Sequence, residues 1–92
     1  MNIRKVSFKD YKKIKLLFKR NNLRILSFSR WKSLWSKNPF LKNKKNDWIK
    51  GWLIEHNSSV VGHFGSFPTY YNFQNKPYRC SVLYGWVVDK AF

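Results

Sequence analysis

The sequence predicts an α+β fold: a strand and two helices, then an antiparallel three-strand segment, in a single domain covering residues 1–92. Three observations carry this. Helical spacing of apolar residues is confined to the first forty positions, two-residue alternation dominates from Trp48 onward, and turn-forming residues mark the changes between them. The chain is also apolar and aromatic enough to fold, at 43% and 20%, unlike the aromatic-poor profile of disorder.

Ile3-Arg4-Lys5-Val6 alternates apolar and polar and reads as an opening strand. Ser7 offers an N-cap, and Asp10 three residues later completes a capping-box pattern with its carboxylate near the positive end of the helix dipole. From Phe8 to Arg20, Tyr11, Ile14, Leu17 and Phe18 fall on one arc and Lys9, Lys12, Lys13, Lys19 and Arg20 opposite. Leu16 lands among the lysines, against the pattern. Asn21-Asn22 is a helix stop, because Asn tolerates the left-handed conformation after the last turn. A second helix starts at Ser27 or Ser29, carries Trp31, Leu34 and Trp35 on one face, and ends at Asn38-Pro39. Leu41 to Asn46 is a Lys/Asn-rich loop.

Trp48 to Glu55 and Val60 to Phe67 read as two strands joined by His56-Asn57-Ser58-Ser59, an antiparallel hairpin. Pro68 is expected to end the second strand, and Thr69 to Pro77 to form a Tyr/Asn-rich excursion. The last strand is Arg79 to Val88. Strict alternation puts Cys80, Val82, Tyr84, Trp86 and Val88 on one face and Ser81, Leu83, Gly85 and Val87 on the other. Both faces are apolar or small, the pattern of an interior strand covered on both sides. With only four residues after it, the domain is expected to be incomplete, requiring a missing C-terminal half or a partner strand.

Charge is lopsided. Of 19 Lys and Arg against 4 Asp and Glu, residues 1–50 hold sixteen basic and two acidic, leaving the second half nearly neutral. The formal net charge of +15 favours anionic partners. Fourteen lysines with nine asparagines are also the residues that an AT-rich gene writes on any surface. Cys80 stands alone, which excludes a disulfide scaffold, a Cys-based zinc finger and a CxxC redox pair; two histidines do not replace the missing ligands, so no metal site is expected. No apolar run approaches the roughly 18–20 residues that span a bilayer. Met1 to Lys5 leads into charged residues rather than an apolar signal core, so the expected compartment is the cytoplasm, without membrane contact.

The order of these elements is similar to that of the N-terminal half of the GNAT-type N-acetyltransferase fold. Ile3-Arg4-Lys5-Val6 followed by Asp10 resembles the family's opening I-R-x-(x)…D strand and helix. Trp31 through Asn38-Pro39 resembles a W…NP phrase found in a subset of these enzymes. Gly51-Trp52-Leu53-Ile54-Glu55 with Val60-Val61-Gly62 resembles the second and third strands, and Tyr84 to Phe92 the fourth strand and the phrase V-x-P-x-Y-R-G. Lys90 stands in place of that proline and Phe92 in place of tyrosine.

The resemblance implies an acetyl-CoA-dependent transfer of an acetyl group to an amine. It implies that backbone groups at Trp86, Val87 and Val88 pair with the pantetheine arm and the acetyl carbonyl. It further implies an acceptor amine lying against the two helices and the third and fourth strands, with Trp31, Trp35, Phe64, Tyr70, Tyr71 and Tyr84 as the aromatic wall. The family's Arg/Gln-x-x-Gly-x-Gly/Ala loop, whose amides cradle the coenzyme pyrophosphate at a helix N-terminus, has no counterpart here; Gly51, Gly62, Gly65 and Gly85 all fall within expected strands. Tight acetyl-CoA binding and catalysis by these residues alone are therefore not expected.

Glu55 and His63 are the candidates for acid–base work, Glu55 otherwise being a solvated hairpin-end residue and His63 a packed strand residue. His56 reads as an exposed turn residue and Cys80 as a packed one, with no base beside it to activate the thiol. The alternative function is a small basic module that binds nucleic acid through Lys12, Lys13, Lys19, Lys44 and Lys45.

Overall fold

The computed structural model describes residues 1–38, 41 and 48–90, with Tyr70 and Arg79 described by backbone alone. It is an α+β fold. Strands β1 (Asn2–Lys5), β2 (Gly51–His56), β3 (Ser59–Phe73) and β4 (Lys76–Val88) form one antiparallel sheet in the order β1-β2-β3-β4. Helices α1 (Tyr11–Arg20) and α2 (Phe28–Ser36) lie in the β1–β2 connection and cover one face of it.

The helices begin and end where local chemistry dictates. A single 3₁₀ turn, Phe8–Asp10, leads into α1. The Asp10 carboxylate accepts from the Ser7 backbone N–H at 2.7 Å and from its hydroxyl at 3.2 Å, which fixes the entry of the chain. Arg4 of β1 donates to both Asp10 oxygens at 2.9 and 2.6 Å and through Nε to Glu55 of β2. Burial pushes the Asp10 carboxyl up, but the bonds from Arg4 and Ser7 outweigh it and hold the group below its ordinary value. Asn22 adopts φ 58° after α1, as expected of an Asn stop. Ser27 caps α2 by accepting from the Arg30 N–H. Asn38 follows the last turn; Pro39 and the loop residues 42–46 lie outside the described residues.

Ile14, Leu17 and Phe18 of α1, Trp31 and Trp35 of α2, and Leu53, Val60 and Val87 of the sheet form one buried cluster with Val6 and Leu41. Each such side chain contributes about 1.5–3 kcal/mol by leaving water. Leu16 is exposed among the lysines, and nothing described covers it.

Two hairpins follow, both with two-residue turns whose central residues have positive φ: Asn57-Ser58 (50°, 65°) and Gln74-Asn75 (51°, 63°). That twist matches the flanking strands. The second turn corrects two expectations, since Pro68 does not end β3 and Thr69 to Pro77 is the tip of a long hairpin rather than an excursion. Geometry explains the tolerance. Ser66 donates its N–H sideways to Lys50 O at 3.1 Å, and β2 pairs no further than Gly65. Two residues on, Pro68 turns its nitrogen to the same side, where no described strand asks for a donor. Side chains take the carbonyls there: Trp35 Nε1 donates to Ser66 O at 2.9 Å, Trp48 Nε1 to the same oxygen at 3.2 Å, and Asn38 Nδ2 to Pro68 O at 2.8 Å. Trp48 thus precedes the sheet rather than opening β2. The strand starts at Gly51, whose φ of 138° suits glycine and where a Cβ would strike the Phe64 carbonyl.

The expectation of an interior last strand is also corrected. β4 is the margin of the sheet, and its outward residues meet solvent, Leu83 at 56% and Trp86 at 75% exposure. Strict alternation fails at one point. Gly65 pairs with Tyr84 and His63 with Val87, so Gly85 and Trp86 together oppose the single residue Phe64. This is a β-bulge with glycine in the left-handed conformation, φ 60°. It turns Val87 inward with Tyr84, and Trp86 and Val88 outward with Leu83. Asp89 then ties β4 to the end of α1, accepting from Arg20 at 2.8 Å and Asn21 at 2.9 Å.

Candidate functional site

The bulge in β4 and the loop between the helices frame a cavity on the inner face of the sheet. It has a volume of about 300 Å³ and is walled by Phe18, Trp31, Leu34, Phe67, Val82 and Tyr84, with Arg24, Ile25 and Leu26 of the α1–α2 loop at its side. The volume lies at the small end of the roughly 300–1,000 Å³ usual for ligand sites.

Each wall residue arrives by a simple rule. Phe18 belongs to the apolar arc of α1, and Trp31 and Leu34 stand one turn apart on α2. Phe67 and Val82 are directly opposed across β3 and β4. Tyr84 stacks over Gly65, its opposite number, where any Cβ would enter its ring.

Polar groups are few and placed. Trp31 Nε1 donates to the Tyr84 hydroxyl at 3.1 Å. Burial pushes the Tyr84 phenol up to about 12, only partly offset by that bond, so the hydroxyl stays neutral and keeps a proton to donate. His63, 3% exposed, packs edge-on against Phe18 and Tyr84 with ring centres 5.3 and 5.8 Å away. Its Nδ1 lies 2.7 Å from Gly85 O. A carbonyl only accepts, so Nδ1 carries the hydrogen and Nε2 holds a lone pair; Nε2 is buried with no hydrogen-bond partner among the described residues. Burial lowers the His63 pKa, more than the Gly85 bond raises it. The ring is therefore a neutral imidazole anchored to the bulge. Gly85 is required there, since a Cβ would come 2.7 Å from Phe18 Cζ and 3.1 Å from the His63 ring.

The residues singled out from the sequence divide. Trp31 and Tyr84 line the cavity; Trp35 touches both, with ring centres 5.2 and 6.4 Å away. Phe64 lies on the outer face against Trp86 at 5.1 Å, and Tyr71 is exposed on the long hairpin. The Tyr70 side chain is outside the described set. Glu55 accepts from Arg4 on the inner face between β1 and β2 and is not part of the cavity wall. Trp86 sits in the bulge, out of the ladder register, while Val87 and Val88 pair with His63 and Gly62. Of the lining, Phe18, Arg24, Ile25, Leu26, Leu34, Phe67 and Val82 are not among the site residues the sequence pointed to. The signal available was the apolar Leu23, Ile25 and Leu26 between the helix stop at Asn21-Asn22 and the cap of the second helix.

Among the described residues, no group of His, Cys, Asp and Glu is arranged to hold a metal ion, and no helix is long and apolar enough to cross a membrane. The chain has no significant match among family models, curated proteins or solved structures.

Proposed function

We propose that the chain carries the acceptor-binding part of an acyl-CoA-dependent N-acyltransferase. The observation that supports this reading is the interruption of β4 at Gly85–Trp86, beside a half-open apolar cavity, in a sheet ordered β1-β2-β3-β4 with both helices in the first connection. β4 is an edge strand, with no described strand beside its far edge. A strand edge offers N–H and C=O groups to an extended arm such as pantetheine. At Trp86 to Val88 these groups flank the bulge, next to the cavity where an amine would rest.

The reaction is a direct transfer. The neutral amine nitrogen attacks the thioester carbonyl carbon, a C–N bond forms, the C–S bond breaks, and coenzyme A leaves as a thiolate that takes up the proton the nitrogen gives off. Holding two reactants in line supplies much of the rate. His63 and Tyr84 are the titratable groups beside the bulge, and their contribution is structural: His63 Nδ1 holds Gly85 O, and the Tyr84 hydroxyl, accepting from Trp31, holds the cavity wall.

The test uses S-acetylpantetheine, which is uncharged and so is not drawn to the basic surface. Weak, saturable shifts of the Trp86, Val87 and Val88 amide resonances are expected. Shifts elsewhere, or none, overturn the reading. Acetyl-CoA is expected to bind no more tightly than acetylpantetheine once salt screens the lysines.

A second reading rests on the opposite surface of α1. Lys9, Lys12, Lys13, Lys15 and Lys19 are exposed there. Asp10 and Glu55 are engaged by Arg4, and Asp89 by Arg20, so the described acids are committed to arginines. This favours a polyanion such as nucleic acid; Lys44 and Lys45 lie outside the described residues. Loss of oligonucleotide binding at about 100 mM salt removes this reading.

A further inference from the structure

We propose that the amine taken at this site is an apolar α-amino acid or a close analogue: an apolar side chain in the cavity, with a carboxylate against Arg24. The inference rests on the acyl-transfer reading for the word amine, and on the cavity and charge pattern for the rest. Size comes first. About 300 Å³ walled by Phe18, Leu34, Phe67 and Val82 lies at the small end of ligand sites and suits one side-chain-sized apolar group.

Charge narrows the class further. An unmodified alkylamine is a cation at neutral pH, and this chain carries +15, so simple amines and above all polyamines approach against the field. A carboxylate on the same molecule cancels that repulsion by making it a zwitterion. The protein has a matching group in place. Arg24 is the cationic residue of the cavity lining, and no carboxylate among the described residues pairs with it, because Asp10, Glu55 and Asp89 bond Arg4 and Arg20 instead. Arg24 lines the cavity and is exposed, so its guanidinium can reach a planar, bidentate anion at the cavity mouth. The Tyr84 hydroxyl, whose oxygen already accepts from Trp31, retains a proton for a further acceptor on the ligand.

The experiment titrates L-phenylalanine, 2-phenylethylamine and spermidine separately into the full chain, followed by amide NMR and tryptophan fluorescence. L-Phenylalanine is expected to bind saturably, with shifts at Leu34, Val82 and Arg24. 2-Phenylethylamine, which differs by the carboxylate alone, is expected to bind about tenfold or more weakly. Arg24→Gln removes that difference by weakening only L-phenylalanine. Leu34→Trp, which fills the cavity, removes both, and its retained amide spectrum shows that the fold survives.

Equal affinity for the two ligands, indifference to Arg24→Gln, or tightest binding of spermidine overturns the proposal. If L-phenylalanine behaves as stated while acetylpantetheine leaves Trp86 to Val88 unshifted, the ligand class stands and the transfer reading falls. If acetylpantetheine shifts those residues while the carboxylate makes no difference, the transfer reading stands and the ligand class falls.

Discussion

The two faces of the sheet are made from the same kinds of residue and come to opposite ends. On the inner face Leu53, Val60, His63, Tyr84 and Val87 lie under α1 and α2; on the outer face Ile3, Trp52, Phe64, Leu83, Trp86 and Val88 meet solvent to varying degrees. Hydrophobicity does not sort them. What sorts them is the parity of each residue along its strand, and in β4 that parity is reset by Gly85. Without the bulge, Trp86 would follow Tyr84 inward and Val87 would face out. One backbone conformation thus decides which aromatic residue builds the cavity and which is left outside.

The comparison breaks most severely at the tryptophans. Trp31→Ala is expected to cost about 3–5 kcal/mol, a large share of the roughly 5–15 kcal/mol that holds a domain together; urea unfolding followed by circular dichroism checks it. Gly85→Ala comes next, at about 2–4 kcal/mol, because it combines a left-handed backbone with overpacking against Phe18. The same unfolding measurement should find it near neutral only if the bulge is not what orders β4.

Acidity probes the inner face alone. The folded-state pKa of His63 is depressed below its ordinary 6.5, so under that value the unfolded chain binds the proton more readily. Stability is complete above about 6.5 and falls as pH drops toward the folded value, by at most about 1.4 kcal/mol per pH unit. Urea midpoints at pH 7, 6 and 5 measure the slope, and His63→Gln should flatten it in that window. Trp86→Ala is the smallest effect, no more than about 1 kcal/mol from its edge contact with Phe64. A loss as large as that of Trp31→Ala would mean the outer face is covered in solution.

Much of the fold could be read from neighbouring residues, because the signals were local. Ser7 with Asp10, Asn21-Asn22, Ser27, and the polar pair Asn57-Ser58 each act within a few positions of themselves. Pro68 misled because whether a strand tolerates proline depends on where another strand stops, and the residues around Pro68 do not announce that β2 pairs no further than Gly65. Trp86 and Val88 misled because alternation was carried through a glycine. At the site, Trp31 and Tyr84 could be picked out as large aromatics in regular elements. Arg24, Phe67 and Val82 could not, since a cavity is a relation among the α1–α2 loop, two helices and two strands.

Ser66 O is held by two indoles, those of Trp35 and Trp48, and Pro68 O by the amide of Asn38. These side chains stand where no described strand pairs, so Trp35 of α2, Asn38 and Trp48 act as a guard on the flank of the long hairpin. If α2 lifts, that flank is bared as a template on which another extended chain can grow. The first step of misassembly would then be the undocking of a helix, with the sheet itself still intact.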